Sequence, residues 1–406
     1  AGQSSGVPGN MIDRIATELP LKTAEAVETG VRTVWSDGRE SFFHSIWLRD
    51  NCYCGQCGDP TIGRRTTRLS DIALTISADT VCIDETGSLG IKWSDGHKSC
   101  FDNGWLQTHA YDDKSRCSRS FSSLLWTDGF RQAPVRVLYS DVLDDDGAFL
   151  EMLHGVRDHG ICFLDDVPLN PDTLEQLARR IGPPQESNFG RIQDLIVDRS
   201  KRSIANDVAA LKPHTDEPYR ASPPGLLMFH CLETDVTGGG GSIFLDGFEI
   251  AETLRSEDPE AFDSLTRNRQ VFRRHFAGDV NLIAEFPVIS VDEFGHINGV
   301  RINDRVGAPL SIPSQEVPRY YRGMRRLLRL SEDPARCIVK ILRPGDAVIF
   351  DNHRVLHGRT ALTVTGRRWL RWIQMKRGDF HSTLRITAEK LAVPSDLRPL
   401  HRGAYG

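Results

Sequence analysis

The stretch LKPHTDEPYR at 211–220 sets an imidazole and a carboxylate two positions apart, in His214 and Asp216. Alternate residues of a strand share a face, so these two groups can grip one object. An H-x-D pair alone is weak evidence, since most such pairs are incidental. A third group changes the odds. His357 stands far along the chain in DNHRVLHGRT, after PGDAVIFDN, which reads as strand and turn. Two histidines and one carboxylate form a facial triad, which covers one face of an octahedral Fe(II) and leaves three positions open. Two open positions suit a chelating cosubstrate and one suits O2. Arg368 follows on an expected strand, and its planar, permanent charge suits the far carboxylate of a dicarboxylic cosubstrate. Arg367 and Arg371 are its rivals for that role. Strand alternation sets Arg368 and Trp369 on opposite faces.

A second cluster lies near the other end. DNCYCGQCGD holds Cys52, Cys54 and Cys57, and C-x-C-x2-C is tight spacing for a tetrahedral soft-metal site. The fourth ligand must come from elsewhere, with His97, Cys100, Cys82 and His109 as candidates. A nucleophilic cysteine is disfavoured because no base is paired with one. Outside this cluster, Cys82, Cys100, Cys117, Cys162, Cys231 and Cys337 read as core packing. His230 and His275 lie in strand-like runs and read as core or surface histidines. His353 reads as a turn residue.

The elements that must position these groups are mostly strands. VRTVWSDGRESFFHSIWL at 31–48 predicts a hairpin turning at Asp37-Gly38, and LGIKWSDGHKSCF at 89–101 predicts another. Both carry WSDG, read here as two hairpins of one small β-rich module and not as a long repeat. A short strand near 80–84 lies between them, and NGWLQTHAYDD begins a helix. The polar, Ser-rich stretch SRCSRSFSS marks a boundary. SDVLDDDGAFLEMLHGVRDHG and NPDTLEQLARRIG then read as helices closed by glycine, with the strand ICFLDDV between them. From 225 onward strand-like runs dominate, interrupted by helices over FEIAETLRSEDPEAFDSLTR and SQEVPRYYRGMRRLLRLS. Many short strands with turn signals predict a sandwich or barrel. TGGGGS lacks the lysine and the strand–loop–helix context of a phosphate loop.

Composition narrows the function classes. The chain has 406 residues, 39% hydrophobic and 26% charged, with a net charge of −5. Nothing basic suggests a nucleic-acid partner, and no apolar run is long enough to span a membrane. Nine cysteines without a secretory signal suggest reduced thiols and a cytoplasmic protein. AGQSSGVPGN reads as a disordered leader. The expected organisation is a leader at 1–12, a zinc-binding β-rich domain at 13–115 and a catalytic domain at 116–406.

WLRDNCYCGQC, HTDEPY, PPGLLMFHCLE, VTGGGGSIFLDGF and DNHRVLHGRTAL together resemble the 2-oxoglutarate/Fe(II)-dependent oxygenases. Within them the chain is similar to the γ-butyrobetaine and trimethyllysine hydroxylase branch, related to taurine dioxygenase, over about residues 30 to 385. The resemblance implies a mainly β fold with flanking helices: a double-stranded β-helix (jelly-roll) core plus a small N-terminal zinc domain. It implies Fe(II) at His214, Asp216 and His357, and 2-oxoglutarate on Arg368 with Ser242 as a further contact. It selects His97 as the fourth zinc ligand beside Cys52, Cys54 and Cys57, and a closed Cys3His site is structural. It implies a homodimer and a hydroxylation that consumes 2-oxoglutarate and O2 and yields succinate and CO2. Asp216 is retained, so hydroxylation or desaturation is favoured over halogenation.

The chain departs from that branch where its members cage a trimethylammonium in aromatic rings. The segment ahead of HTD has one aromatic, Phe189, and no Tyr or Trp. The cage positions fall on Gln193, Asn206 and, on the last core strand, Gln374. Arg305 falls near the position that meets the substrate carboxylate, and Arg191 adds a second cation. The expected substrate is therefore a small-molecule acid of specialised metabolism, carrier- or CoA-linked acids included. The alternative is γ-butyrobetaine or a related betaine. A rival of another class is a non-redox, cupin-like metal-binding protein.

Overall fold

The computed structural model describes residues 19–59, 62–118, 123–197, 209–234, 240–276, 278–361 and 368–393. The expected leader at 1–12 and Asn206 lie outside them. The described residues divide into two compact units, one from residues before 121 with a short stretch from Ala388, the other from the residues between. Among the described residues no helix is long and apolar enough to cross a membrane.

The first unit is built from two three-stranded meanders. Leu21–Val27, Gly30–Trp35 and Glu40–His44 form one, and Ala78–Ile83, Leu89–Trp93 and Lys98–Phe101 form the other. The two WSDG turns are constructed alike. Trp35 Nε1 donates to Ser41 Oγ at 3.0 Å, and Trp93 Nε1 donates to Ser99 Oγ at 2.8 Å. Gly38 and Gly96 take φ of 84° and 80°, which a side chain resists. The likeness thus extends from hairpin to whole meander. Trp35, Phe43, Leu48, Trp93, Phe101 and Leu106 fill the shared core. The strand expected through residue 48 ends at His44, where the helix Ser45–Asp50 begins.

The second unit holds a six-stranded and a four-stranded sheet. The larger runs Ile192–Val197, Arg368–Met375, Leu226–Glu233, Ala347–Asp351, Ile161–Asp165 and Arg136–Leu138. The smaller runs Leu211–His214, Val355–Arg359, Ser242–Asp246 and Cys337–Lys340. The sheets share one apolar core, with Phe163 and Phe350 of the larger at 5.7 and 5.5 Å from Phe244 of the smaller. Mixed sheets with flanking helices are therefore the architecture. Three helices, Gly247–Glu257, Pro259–Arg267 and Val317–Ser331, bury Phe248, Leu254, Leu265 and Leu327 in a separate core. The first two were expected as one helix. Asp258 ends that run, caps the next helix by accepting from the Ala261 amide, and is followed by a proline that cannot continue the first.

Local chemistry frames several other elements. Asp145 caps Asp146–His159 by accepting from the Ala148 amide at 2.7 Å, and Gly160 ends that helix in the left-handed region. Arg354 and Asp246 form a pair with both side chains 1% exposed. Arg354 also donates to the carbonyls of Asp158 and Leu124, and Asp246 accepts from the amides of Phe248 and Trp126.

Candidate metal centres and active site

His214 ends its strand and stands opposite His357 in the antiparallel register. Gly358 lets the two strands approach: a Cβ there would lie 2.5 Å from the Leu211 carbonyl oxygen. The two rings are 4.6 Å apart. Asp216 is not on the strand, contrary to the alternation argument, but in the loop just beyond it. That loop is pinned on both sides. The Thr215 amide donates to the Ile302 carbonyl at 2.8 Å, and the Thr215 hydroxyl accepts from the Ile302 amide at 3.1 Å. Asn352 Oδ1 accepts from the Asp216 amide at 2.8 Å, while its Nδ2 donates to the carbonyls of Asp216 and Pro224. The carboxylate then reaches His214 Nε2 at 3.3 Å and His357 Nε2 at 3.5 Å.

These three groups fit a divalent iron. Their donor atoms lie within 4.8 Å of one another, and all come from hard or borderline N and O ligands. The Lys212 carbonyl lies 2.8 Å from His214 Nδ1, which takes the ring proton there and leaves Nε2 free for a metal. His357 is oriented by packing against Phe350 and Phe229, at 5.1 and 5.5 Å. Burial lowers the pKa of His214, and the charges of His357 and Arg305 act the same way. Burial opposes ionisation of Asp216, yet the two imidazoles hold its carboxyl well below the usual carboxylate range. Both are the protonation states a metal requires.

Arg368 is buried on the last strand of the large sheet, with no carboxylate partner among the described residues. Burial and the neighbouring Arg359 lower its pKa to about 10. Arg371 is engaged elsewhere, in a two-point pair with Asp194 at 2.9 and 3.1 Å. Arg367 lies outside the described residues. Ser242 is buried opposite Arg359, as Phe244 is opposite His357, so Ser242 and His357 share one face of the small sheet.

The expected substrate contacts separate into two groups. Burial of its guanidinium lowers the pKa of Arg305 and the charge of Asp216 acts the other way, although the residue as a whole is exposed. Gln374 is buried and donates to Glu217 Oε1 at 2.8 Å. Glu217 neighbours Asp216, is buried, and also pairs with Arg220. Arg191 is exposed too, and is paired with Glu175 at 2.9 Å. Phe189 is 42% exposed. Glu217, Asn352 and Thr215 were missed from the sequence. The only local signal was their adjacency to the histidine motifs.

In the first unit, the sulfurs of Cys52, Cys54 and Cys57 lie 3.4, 3.5 and 3.4 Å from His97 Nε2. Zinc bonds of roughly 2.0 and 2.3 Å at tetrahedral angles give edges of about 3.5 Å, so the donor set fits zinc. Arg49 supports it by donating to Cys57 Sγ at 3.4 Å and to Asp95 at 3.0 Å. Asp95 in turn accepts from the His97 amide. Cys82, Cys100 and His109 are not among these ligands.

A profile described as Taurine catabolism dioxygenase TauD, TfdA family matches residues 126–374. The chain belongs to the TauD/TfdA dioxygenase family. A second profile, Gamma-butyrobetaine hydroxylase-like, N-terminal, matches residues 23–107. The gamma-butyrobetaine dioxygenase of Pseudomonas sp. (strain AK-1) is 39% identical over 348 residues, 84% of this chain and 89% of that one. The mitochondrial trimethyllysine dioxygenase of Homo sapiens is 30% identical over 353 residues, 85% of this chain and 82% of that one. A solved taurine dioxygenase from Burkholderia xenovorans superposes with a TM-score of 0.44 at 15% identity, over 58% and 81% of the two chains. This TauD/TfdA dioxygenase depends, like its family, on Fe(II), 2-oxoglutarate and O2. Family membership removes the non-redox reading.

Proposed function

We propose that the protein hydroxylates an unactivated aliphatic C–H of a small-molecule acid, with His214, Asp216 and His357 holding Fe(II). The observation that carries this is the convergence of those three donors in one buried place, while Arg368 is buried without a carboxylate partner among the described residues. Bound Fe(II), 2-oxoglutarate and O2 supply the oxidising power for C–H cleavage. The protein supplies position and dryness. Arg368 takes the distal carboxylate of 2-oxoglutarate, with Ser242 on the neighbouring sheet as a second contact. Phe229, Phe244 and Phe350 form an apolar floor behind His357 that excludes water. Asn352 and Thr215 hold the Asp216 loop in place. The two sheets are read as a double-stranded β-helix, and the Cys3His set as a structural zinc site.

For the substrate, Arg305, which feels the charge of Asp216, is our candidate to meet a carboxylate. The buried Gln374–Glu217 pair is our candidate to meet a polar or cationic head group. γ-Butyrobetaine is such a carboxylate with a cationic end. The 39% identity to a γ-butyrobetaine dioxygenase makes that compound the first to test, ahead of larger or CoA-linked acids.

The test is an anaerobic titration. Metal-stripped protein is loaded with Fe(II) and 2-oxoglutarate, and its visible charge-transfer band is recorded. γ-Butyrobetaine, trimethyllysine, simple anionic acids and CoA-linked acids are then added in turn. A band perturbed by γ-butyrobetaine, followed by its turnover in air, supports the betaine substrate. A band moved only by other acids keeps the chemistry and changes the substrate. No band in any condition sinks the residue assignment.

A further inference from the structure

A cavity about 440 Å³ in volume lies beside the hairpin Ile289–Val291 and Ile297–Val300. That size suits a small organic molecule. Its lining includes three cationic or titratable side chains that are almost fully buried: Arg301 at 7% exposure, Arg377 at 1% and His353 at 8%. Arg377 is neutralised by Asp351 at 2.8 Å and donates to the Asn298 carbonyl. Arg301 is not neutralised. Its guanidinium lies 3.5 Å from the centre of the Phe286 ring and donates to the Arg220 carbonyl at 3.3 Å. No carboxylate partners it among the described residues, and burial lowers its pKa to about 10. His353 Nε2 is buried without a hydrogen-bond partner among the described residues. Buried charge and buried polar atoms are ordinarily compensated, so both point to a missing ligand.

We infer that this cavity is a second small-molecule site, taking a monocarboxylate whose carboxylate pairs with Arg301. The planar fork of arginine matches a carboxylate, and Phe286 and Val300 offer an apolar wall for its body. Asp292 and Glu293 line the same cavity, Glu293 exposed and the Asp292 side chain buried. Asp292 is engaged by the amides of Phe294 and His296 and by the His296 ring at 3.3 Å. These two acids disfavour phosphate and polyanions and tolerate a ligand with a neutral or cationic far end. The cavity adjoins the loop that carries Asp216: Arg301 and His353 line both it and a narrow crevice that Thr215 and Asp216 also line.

The probe is butyrate, with inorganic phosphate as comparison. Binding is followed by calorimetry on full-length protein loaded with Fe(II) and 2-oxoglutarate in the absence of oxygen. Gly299→Val plugs the cavity without touching any charge. The atoms nearest to a Cβ there belong to Ser290 and the His353 carbonyl, none nearer than 3.7 Å. Arg301→Met removes the anchor, and Arg305→Met serves as the iron-site control. Butyrate is expected to bind the wild type and R305M alike, and to weaken about tenfold or more in G299V and R301M. No butyrate binding to the wild type, undiminished binding in G299V, or loss in R305M overturns the inference. Phosphate binding as tightly as butyrate overturns the carboxylate class. Should R301M fail to fold, G299V alone decides.

Discussion

Asn352 closes a two-point clamp on Asp216, accepting from its amide at 2.8 Å and donating to its carbonyl at 3.0 Å. The clamp holds the carboxylate's backbone, not the carboxylate, so it fixes position without competing for the metal. Asn352 is 1% exposed, so its removal leaves buried partners unmade. Asn352→Ala is expected to destabilise the fold by about 2–4 kcal/mol and to weaken Fe(II) binding by about tenfold or more. Urea unfolding and anaerobic Fe(II) titration measure the two effects. Unchanged metal affinity would rule out the positioning role.

The cosubstrate role proposed for Arg368 is separable from metal binding. Arg368→Met is expected to raise KM for 2-oxoglutarate by about a hundredfold while leaving Fe(II) stoichiometry intact, and Arg368→Lys to recover only part of it. Asp216→Ala is expected to lower Fe(II) stoichiometry and abolish succinate formation. Steady-state kinetics and metal analysis distinguish the two patterns.

The Arg354–Asp246 pair joins segments far apart in the chain and is almost fully buried. Breaking it strands a buried carboxylate. Arg354→Met is expected to cost about 3–5 kcal/mol in chemical denaturation. A loss below about 1 kcal/mol would mean the site hydrates freely.

His230 is 0% exposed, and burial lowers its pKa from 6.5 to about 4, with the Val167 carbonyl offsetting only part. Between those values the unfolded chain binds a proton that the native chain does not. Its contribution to stability is thus present above about pH 6.5 and is lost as pH falls toward 4. The slope in that window reaches about 1.4 kcal/mol per pH unit from this one group. Urea midpoints between pH 7 and 4.5 are expected to fall less steeply in His230→Leu than in the wild type.

Zinc removal is expected to act on the first unit without touching the iron ligands. Cys57→Ser is expected to lose about one equivalent of zinc and lower the melting temperature of that unit. The anaerobic Fe(II)–2-oxoglutarate band is expected to persist. Zinc analysis and spectroscopy on the same sample check both statements.

Some of this molecule was legible as sequence because the rules involved act over a few residues. C-x-C-x2-C holds three sulfurs close by spacing alone, and each WSDG turn demands its glycine. The acceptor caps at Asp145 and Asp258 begin helices wherever they are placed. The pairing of HTD with a distant LHGRT was legible only because the donor types match one metal. Alternation along a strand was the wrong reason for the approach of His214 and Asp216, since the strand ends at His214 and a pinned loop supplies the carboxylate.

What only the tertiary structure decided depends on strand register and burial. His214 meets His357 because two strands from distant parts of the chain pair in one register over Gly358. Asp194 pairs with Arg371 on one side of the sheet, while Arg368 is buried on the other. Arg191 goes to Glu175, while Arg301 is left as a buried cation on a cavity. The arginines are chemically identical in sequence. Their neighbours come from segments up to hundreds of residues away, and long-range packing alone assigns each its partner, its solvent exposure and hence its role.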